Sequence, residues 1–129
     1  MSGRIILDTN VIIALFSEEP SLNKYILNAD EVFIPCIVIG ELYYGARKSS
    51  KIQENLNKID EFAAGNTILS CDTNTAMIYG DIKNALKEKG KPIPENDIWI
   101  AAIARQYDLI LITKDKHFSF VEKIKIELL

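Results

Sequence analysis

The sequence predicts an α/β sandwich built on a mainly parallel sheet. Short apolar runs suited to strands buried on both faces recur along it, at Ile5-Ile6-Leu7, Val32-Phe33-Ile34 and Leu109-Ile110-Leu111-Ile112. Longer stretches of helical periodicity alternate with these runs, the order in which parallel strands are joined through crossover helices. At 129 residues the chain suits one domain, residues 1–129, burying about two-thirds of its unfolded surface.

Each element has a local cause. Arg4 to Leu7 forms a first strand, ended by Asp8-Thr9-Asn10, any of which can cap a short helix from Val11 to Phe16. Glu18-Glu19-Pro20-Ser21 breaks the chain, and Ser21 opens a second helix reaching about Asn28. Val32 to Ile34 is a strand stopped by Pro35. Ile37 to Ser49 and Lys51 to Ala64 have helical spacing, and Gly65-Asn66 stops the second of these. Thr67 to Ser70 is a strand. Asp72 or Thr73 then caps a helix that ends at Gly90, and Gly80 within it marks a close helix contact. Pro94 opens a helix through Ala104, apolar from Ile98 onward and therefore buried. Leu109 to Thr113 is the clearest buried strand. Lys114 to Phe118 is a turn, and Ile124 to Leu128 alternates like an edge strand.

Composition excludes several classes. No apolar run approaches the roughly 18 residues of a membrane span. Met-Ser-Gly-Arg leads straight into a strand with no secretory pattern, so a cytoplasmic location is expected. Cys36 and Cys71, with one histidine in the chain, supply neither a zinc site nor a disulfide framework and read as small buried hydrophobes. A net charge of −3 argues against coating a polyanion, but a cluster of metal-binding acids lowers net charge by itself.

Four acids stand out by position. Asp8 directly follows the first strand and Asp115 lies just past Thr113, so both emerge at the carboxyl edge of the sheet, where parallel sheets bind ligands. Asp97 shares a helix face with Ile100, Ala101 and Ala104, where a lone carboxylate needs a cation or a proton. Glu41 leaves a face formed with Ile37, Val38 and Gly45. Taken singly, these residues also suit a helix cap, a turn former or a snorkelling side chain. Their joint placement favours one site. Carboxylates without histidine or cysteine are hard oxygen ligands suited to Mg²⁺ or Mn²⁺.

Asp8-Thr9-Asn10-Val11, Gly40-Glu41-Leu42 with Gly45, Asn96-Asp97 before Ile100-Ala101-Ala102, and Thr113-Lys114-Asp115 with Phe118 resemble the motifs of PIN-domain ribonucleases. In length and motif spacing the chain is similar to the VapC-type toxins of toxin–antitoxin pairs. The resemblance covers essentially the whole chain. It implies a PIN-like three-layer sandwich with a five-stranded parallel sheet flanked by helices, and one or two magnesium or manganese ions held by the acids. It further implies endonucleolytic cleavage of RNA, a homodimer and a cognate antitoxin. Asp8, Glu41, Asp97 and Asp115 match the acidic quartet, and Thr113 matches its supporting hydroxyl.

The expected roles follow from the chemistry of phosphodiester hydrolysis, which needs an activated water and neutralisation of developing charge. Asp8 and Asp97 are the expected direct ligands, with Glu41 binding the ion or orienting water. Asp115 completes the site directly or through water, with Thr113 and Asn10 as hydrogen-bonding supports. Arg47, Lys48 and Lys51 are candidate RNA contacts, as are Lys87, Lys89 and Lys91, and Tyr43 or Tyr44 could stack on a base. His117 reads as a solvent-side loop residue, since metal-assisted hydrolysis needs no imidazole. The helices at Val11 to Phe16 and Leu56 to Phe62 carry more apolar surface than the core needs, which points to a dimer or antitoxin surface. Two other readings keep the fold. One is an RNA-processing nuclease outside any toxin pair, and the other is an aspartate phospho-acceptor or phosphatase, although the latter usually has a second acid where Asn10 stands.

Overall fold

In the computed structural model, which describes residues 3–17, 22 and 26–129, five strands form one parallel sheet. They are β1 (Arg4–Leu7), β2 (Glu31–Pro35), β3 (Thr67–Leu69), β4 (Ile110–Thr113) and β5 (Lys125–Leu128), in the order β3-β2-β1-β4-β5. Ile6 pairs with Phe33 on one side and Leu111 on the other, so β1 is the centre of the sheet. Ile6, Leu111 and Ile112 are almost wholly buried, as the apolar runs require of strands covered on both faces.

The helices are α1 (Thr9–Phe16), α2 (Cys36–Arg47), α3 (Ile52–Ala64), α4 (Thr73–Lys89) and α5 (Glu95–Gln106), followed by a 3₁₀ turn at Lys116–Phe120. The expected helix from Ser21 to Asn28 falls largely outside the described residues; its last three positions, 26–28, are helical. Pro35 closes β2 from within the strand, one residue later than the sequence pattern indicates. Pro94 is the cap preceding α5, so its missing N–H falls just outside the helix.

The best-anchored helix is α4. Asp72 accepts from the Thr75 amide at 3.0 Å while Thr75 Oγ1 accepts from the Asp72 amide at 3.0 Å, a reciprocal capping box. Gly90 ends it at φ 68°, a left-handed conformation that favours glycine. Thr75 also donates to Gln106 of α5, and Tyr79 stacks on Trp99 with ring centres 4.1 Å apart. Ile82 and Leu86 carry the buried face. Gly80 does not mark a close contact: a Cβ added there would meet nothing within 4 Å. The helix pair packs through large side chains instead.

α5 is the buried helix that its composition demands. Ile98 and every residue from Ile100 to Ala104 are at most 3% exposed, and full burial of each isoleucine is worth about 1.5–3 kcal/mol. This burial fixes where its first turn, and with it Asp97, meets the sheet edge.

Candidate active site

The strand order reverses between β1 and β4, and such a switch point opens a crevice at the carboxyl ends of the strands. Asp8 and Asp115 leave those two strands. Asp8, Glu41, Asp97 and Asp115 line one cavity of about 460 Å³ together with Thr9, Asn10, Pro94, Glu95 and Asn96. Residues from the ends of β1 and β4, the middle of α2 and the first turn of α5 therefore meet.

Asp8 is the most rigidly held acid, at 5% exposure. Its Oδ1 accepts from the Thr9 amide at 2.8 Å and its Oδ2 from the Thr113 hydroxyl at 2.7 Å. Its own amide donates to the Ile112 carbonyl at 3.1 Å, continuing the sheet for one residue. Burial pushes its carboxyl above the usual range, opposed by the hydrogen bonds from Thr113 and Thr9 and reinforced by the charge of Asp115.

Thr113 is fully buried and joins two acids, because its hydroxyl oxygen also accepts from the Asp115 amide at 3.0 Å. Asp115 in turn caps the 3₁₀ turn, accepting from the His117 amide at 2.9 Å, and its Oδ1 lies 2.9 Å from His117 Nδ1. His117 is solvent-exposed and faces Asp115 at the rim.

Asp97 is half-buried at the start of α5. Its carboxyl is pushed up to about 7, first by burial and then by the charges of Asp8, Asp115 and Glu41, with His117 opposing. Three acids from three other elements thus act on one carboxylate, an electrostatic record of their convergence.

Thr9 was not among the site residues that the sequence pattern singled out. Its hydroxyl donates to Glu41 Oε1 at 2.8 Å, so one residue bonds Asp8 through its amide and Glu41 through its side chain. A hydroxyl directly after the strand-terminal aspartate was the available signal. Asn96, of the Asn96-Asp97 motif, and Glu95, to which the sequence pattern gave no role in the site, also line the cavity; Glu95 is held at the rim by Tyr79 and Lys83. Asn10 lines the cavity, and its side chain makes no hydrogen bond among the described residues.

The candidate RNA contacts lie elsewhere. Arg47 ends α2 and Lys48 and Lys51 follow it, all three exposed, with Lys48 over the Tyr44 ring at 4.7 Å and Lys51 3.9 Å from Glu54. Tyr43 donates to Asp60. Lys89 pairs with Glu122 at 3.0 Å and Lys91 sits over Phe120, while Lys87 is exposed.

The donor set fits a hard divalent cation. The facing groups are carboxylates, and Asp8, Asp115 and Glu41 together raise the affinity of Asp97 for positive charge. Among the described residues no three acids, histidines or cysteines form a ready-made cage. A phospho-acceptor or phosphatase reading gains nothing from the site, where Asn10 rather than a second acid stands two residues after Asp8.

The PIN domain family matches residues 5–124. The chain belongs to the PIN-domain family. Among its PIN-domain relatives is the Ribonuclease VapC2 of Haemophilus influenzae, 37% identical over 127 residues and 96% of each chain. Another, 32% identical over the same share of each chain, is the tRNA(fMet)-specific endonuclease VapC of Salmonella typhimurium. Two similar solved structures are VapBC2 from Rickettsia felis bound to a DNA fragment from their promoter and DNA-bound VapBC from Salmonella typhimurium. The first has a TM-score of 0.88, 28% identity and coverage of 100% of this chain and 99% of that one. The second has a TM-score of 0.88, 31% identity and 96% coverage of each. Five parallel strands flanked by helices, expected from the motif resemblance, are thus the fold of this PIN domain.

A second concavity adjoins the first. An apolar groove of about 400 Å³ lies between α1, α2 and α3, lined by Ile13, Phe16, Leu42, Gly45, Ala46 and Ile59 among others. Glu41 lines both cavities. Ile13 is 49% exposed, and Phe16 meets Phe62 edge-on at 5.3 Å, so the surplus apolar surface of these helices gathers in the groove.

Proposed function

We propose that this protein is a Mg²⁺- or Mn²⁺-dependent endoribonuclease, the toxin of a type II toxin–antitoxin pair. The observation that carries the reading is the convergence of Asp8, Glu41, Asp97 and Asp115 on one open cavity at the β1–β4 switch point. The similarity over nearly the full length to ribonucleases named VapC supports it.

Asp8 and Asp97 are the residues that would hold the ion, with Asp115 completing the site directly or through water. When bound, the ion lowers the pKa of water and neutralises charge at the scissile phosphate. The Thr9 hydroxyl fixes Glu41 Oε1 and leaves Oε2 to bind the ion or orient the attacking water. Thr113 and the Thr9 amide hold Asp8 in one orientation. Asn10, at the rim, is a polar support for substrate or water.

The substrate is RNA, and tRNA is the class to try first, given the relative named for it. Arg47, Lys48 and Lys51 are outer phosphate contacts for a strand running from the cavity along α2. The cognate antitoxin fills the apolar groove and covers Glu41 from that side, a reading supported by the VapBC complexes of the same fold. The toxin acts as a homodimer in the cytoplasm, one domain per chain. No helix among the described residues is long and apolar enough to cross a membrane.

The test is cleavage of purified RNA by metal-stripped protein. Activity should be absent in EDTA, return with Mg²⁺ or Mn²⁺, and not return with zinc at matched occupancy. Undiminished cutting after stripping would overturn the metal mechanism. Loss of cleavage on adding the product of an adjacent small gene would establish the toxin role.

A further inference from the structure

Cys36 and Cys71 were expected to be separate buried hydrophobes, but they are half-buried neighbours. β2 and β3 pair in parallel with Pro35 opposite Leu69, so residues 36 and 71 leave the same edge on adjacent strands. Residue 36 follows Pro35 and residue 71 lies one position beyond the residue that would oppose it, so the pair is offset by one residue across strands about 4.8 Å apart, on the scale of the roughly 4.4–6.8 Å between Cα atoms that a disulfide spans. The Cys36 side chain is close enough to Cys71 to raise its pKa. Neither residue lines the carboxylate cavity or the apolar groove.

We propose that Cys36 and Cys71 are a redox site, forming a reversible intramolecular disulfide with a low-molecular-weight disulfide of the glutathione type as oxidant. The link would tie the β2–α2 junction to the β3–α4 junction, at the start of the helix that carries Glu41. The site is independent of the nuclease reading.

Order of attack follows from the surroundings. Burial, the facing Cys36 and the nearby Asp72 push the Cys71 thiol up to about 11, which makes Cys71 the slower first nucleophile. Cys36, the first residue of α2, is therefore the sulfur that attacks first. The Cys36 thiolate attacks one sulfur of the small disulfide, forming a mixed disulfide and expelling one small thiolate. That step removes the effect of Cys36 on Cys71. Cys71 then loses its proton to solvent and attacks the Cys36 sulfur, and the second small thiolate leaves. Two protein thiols are oxidised to one disulfide, and one small disulfide is reduced to two thiols.

The experiment incubates the whole protein in glutathione disulfide and measures intact mass, followed by peptide mapping and non-reducing gels. Wild type should lose two hydrogens, retain no glutathione, run as a single chain and yield a Cys36–Cys71 peptide pair, all reversed by dithiothreitol. Cys71→Ser should retain one glutathione per chain, and Cys36→Ser should react at least tenfold more slowly than wild type. Wild type that accumulates bound glutathione, cross-links between chains or stays unmodified would overturn the proposal. The wild-type map decides the matter even if a variant folds poorly.

Discussion

The Thr113 hydroxyl donates to Asp8 Oδ2 at 2.7 Å across 105 positions of sequence and accepts from the Asp115 amide at 3.0 Å. One buried group therefore sets two of the four acids. Thr113→Val keeps the shape but removes both bonds, leaving a buried acceptor and an amide unpaired. Stability should fall by about 1–3 kcal/mol and RNA cleavage by tenfold or more, while Thr113→Ser keeps most of both. Denaturant titrations and initial rates check this, and wild-type turnover by the valine variant would take the hydroxyl out of the site.

Asp97→Asn should abolish cleavage without loss of metal-free stability. The substitution removes a charge that burial and three acids oppose. With screening allowed for at a half-buried group, a gain of up to about 1 kcal/mol is expected. Mg²⁺ should raise the melting temperature of wild type clearly and that of the variant much less, because binding to the folded state alone stabilises it. If Asp97 only favoured the helix start, the variant would stay active and metal-responsive.

The same carboxyl gives a pH dependence with a definite sign. Folded, metal-free protein keeps a proton on Asp97 up to about 7, against 3.8 for the ordinary group. Between those values the folded state binds more protons than the unfolded one, so stability falls as pH rises. The effect is absent below the lower value and complete above the upper one, and raised Asp8 acts in the same direction. Melting curves in EDTA should show the asparagine variant gaining on wild type as pH rises through this window. A difference that stays flat with pH would contradict the burial of Asp97.

Gly45 separates folding from partner binding. It lines the apolar groove, and a Cβ there would meet nothing within 4 Å. Gly45→Leu should stabilise α2 by up to about 1 kcal/mol through helix propensity, yet weaken antitoxin binding tenfold or more by filling the groove. Calorimetric titration with the cognate antitoxin measures the second effect. Unchanged affinity would move the antitoxin off this groove.

The alternation of strands and helices was readable because β1, β4 and α5 are buried on all sides, and burial leaves continuous apolar runs in sequence. Positions after strands were readable for the same reason, which is why Asp8 and Asp115 could be placed at one sheet edge. The Thr9–Glu41 bond was not, since it depends on how α2 crosses α1, and no local pattern records a crossing. Gly80 misled because a glycine inside a helix looks identical whether a neighbour crowds it or solvent surrounds it. The cysteine pair was hidden by its separation in sequence, and only the β2–β3 register brings it together.

The position of β1 between β2 and β4 also has a consequence for synthesis. The first of the five strands acquires its second neighbour only when Ile110 to Thr113 arrive, more than 100 residues after Arg4. A nascent or prematurely stopped chain can carry Asp8, Glu41 and Asp97 and still lack the strand that fixes Asp8. Its central strand would have one edge unpaired and nothing to hold the first carboxylate in place. Catalytic competence would then arrive late in translation, giving a cell that makes such a protein a grace period in which a partner can be on hand before there is anything to restrain.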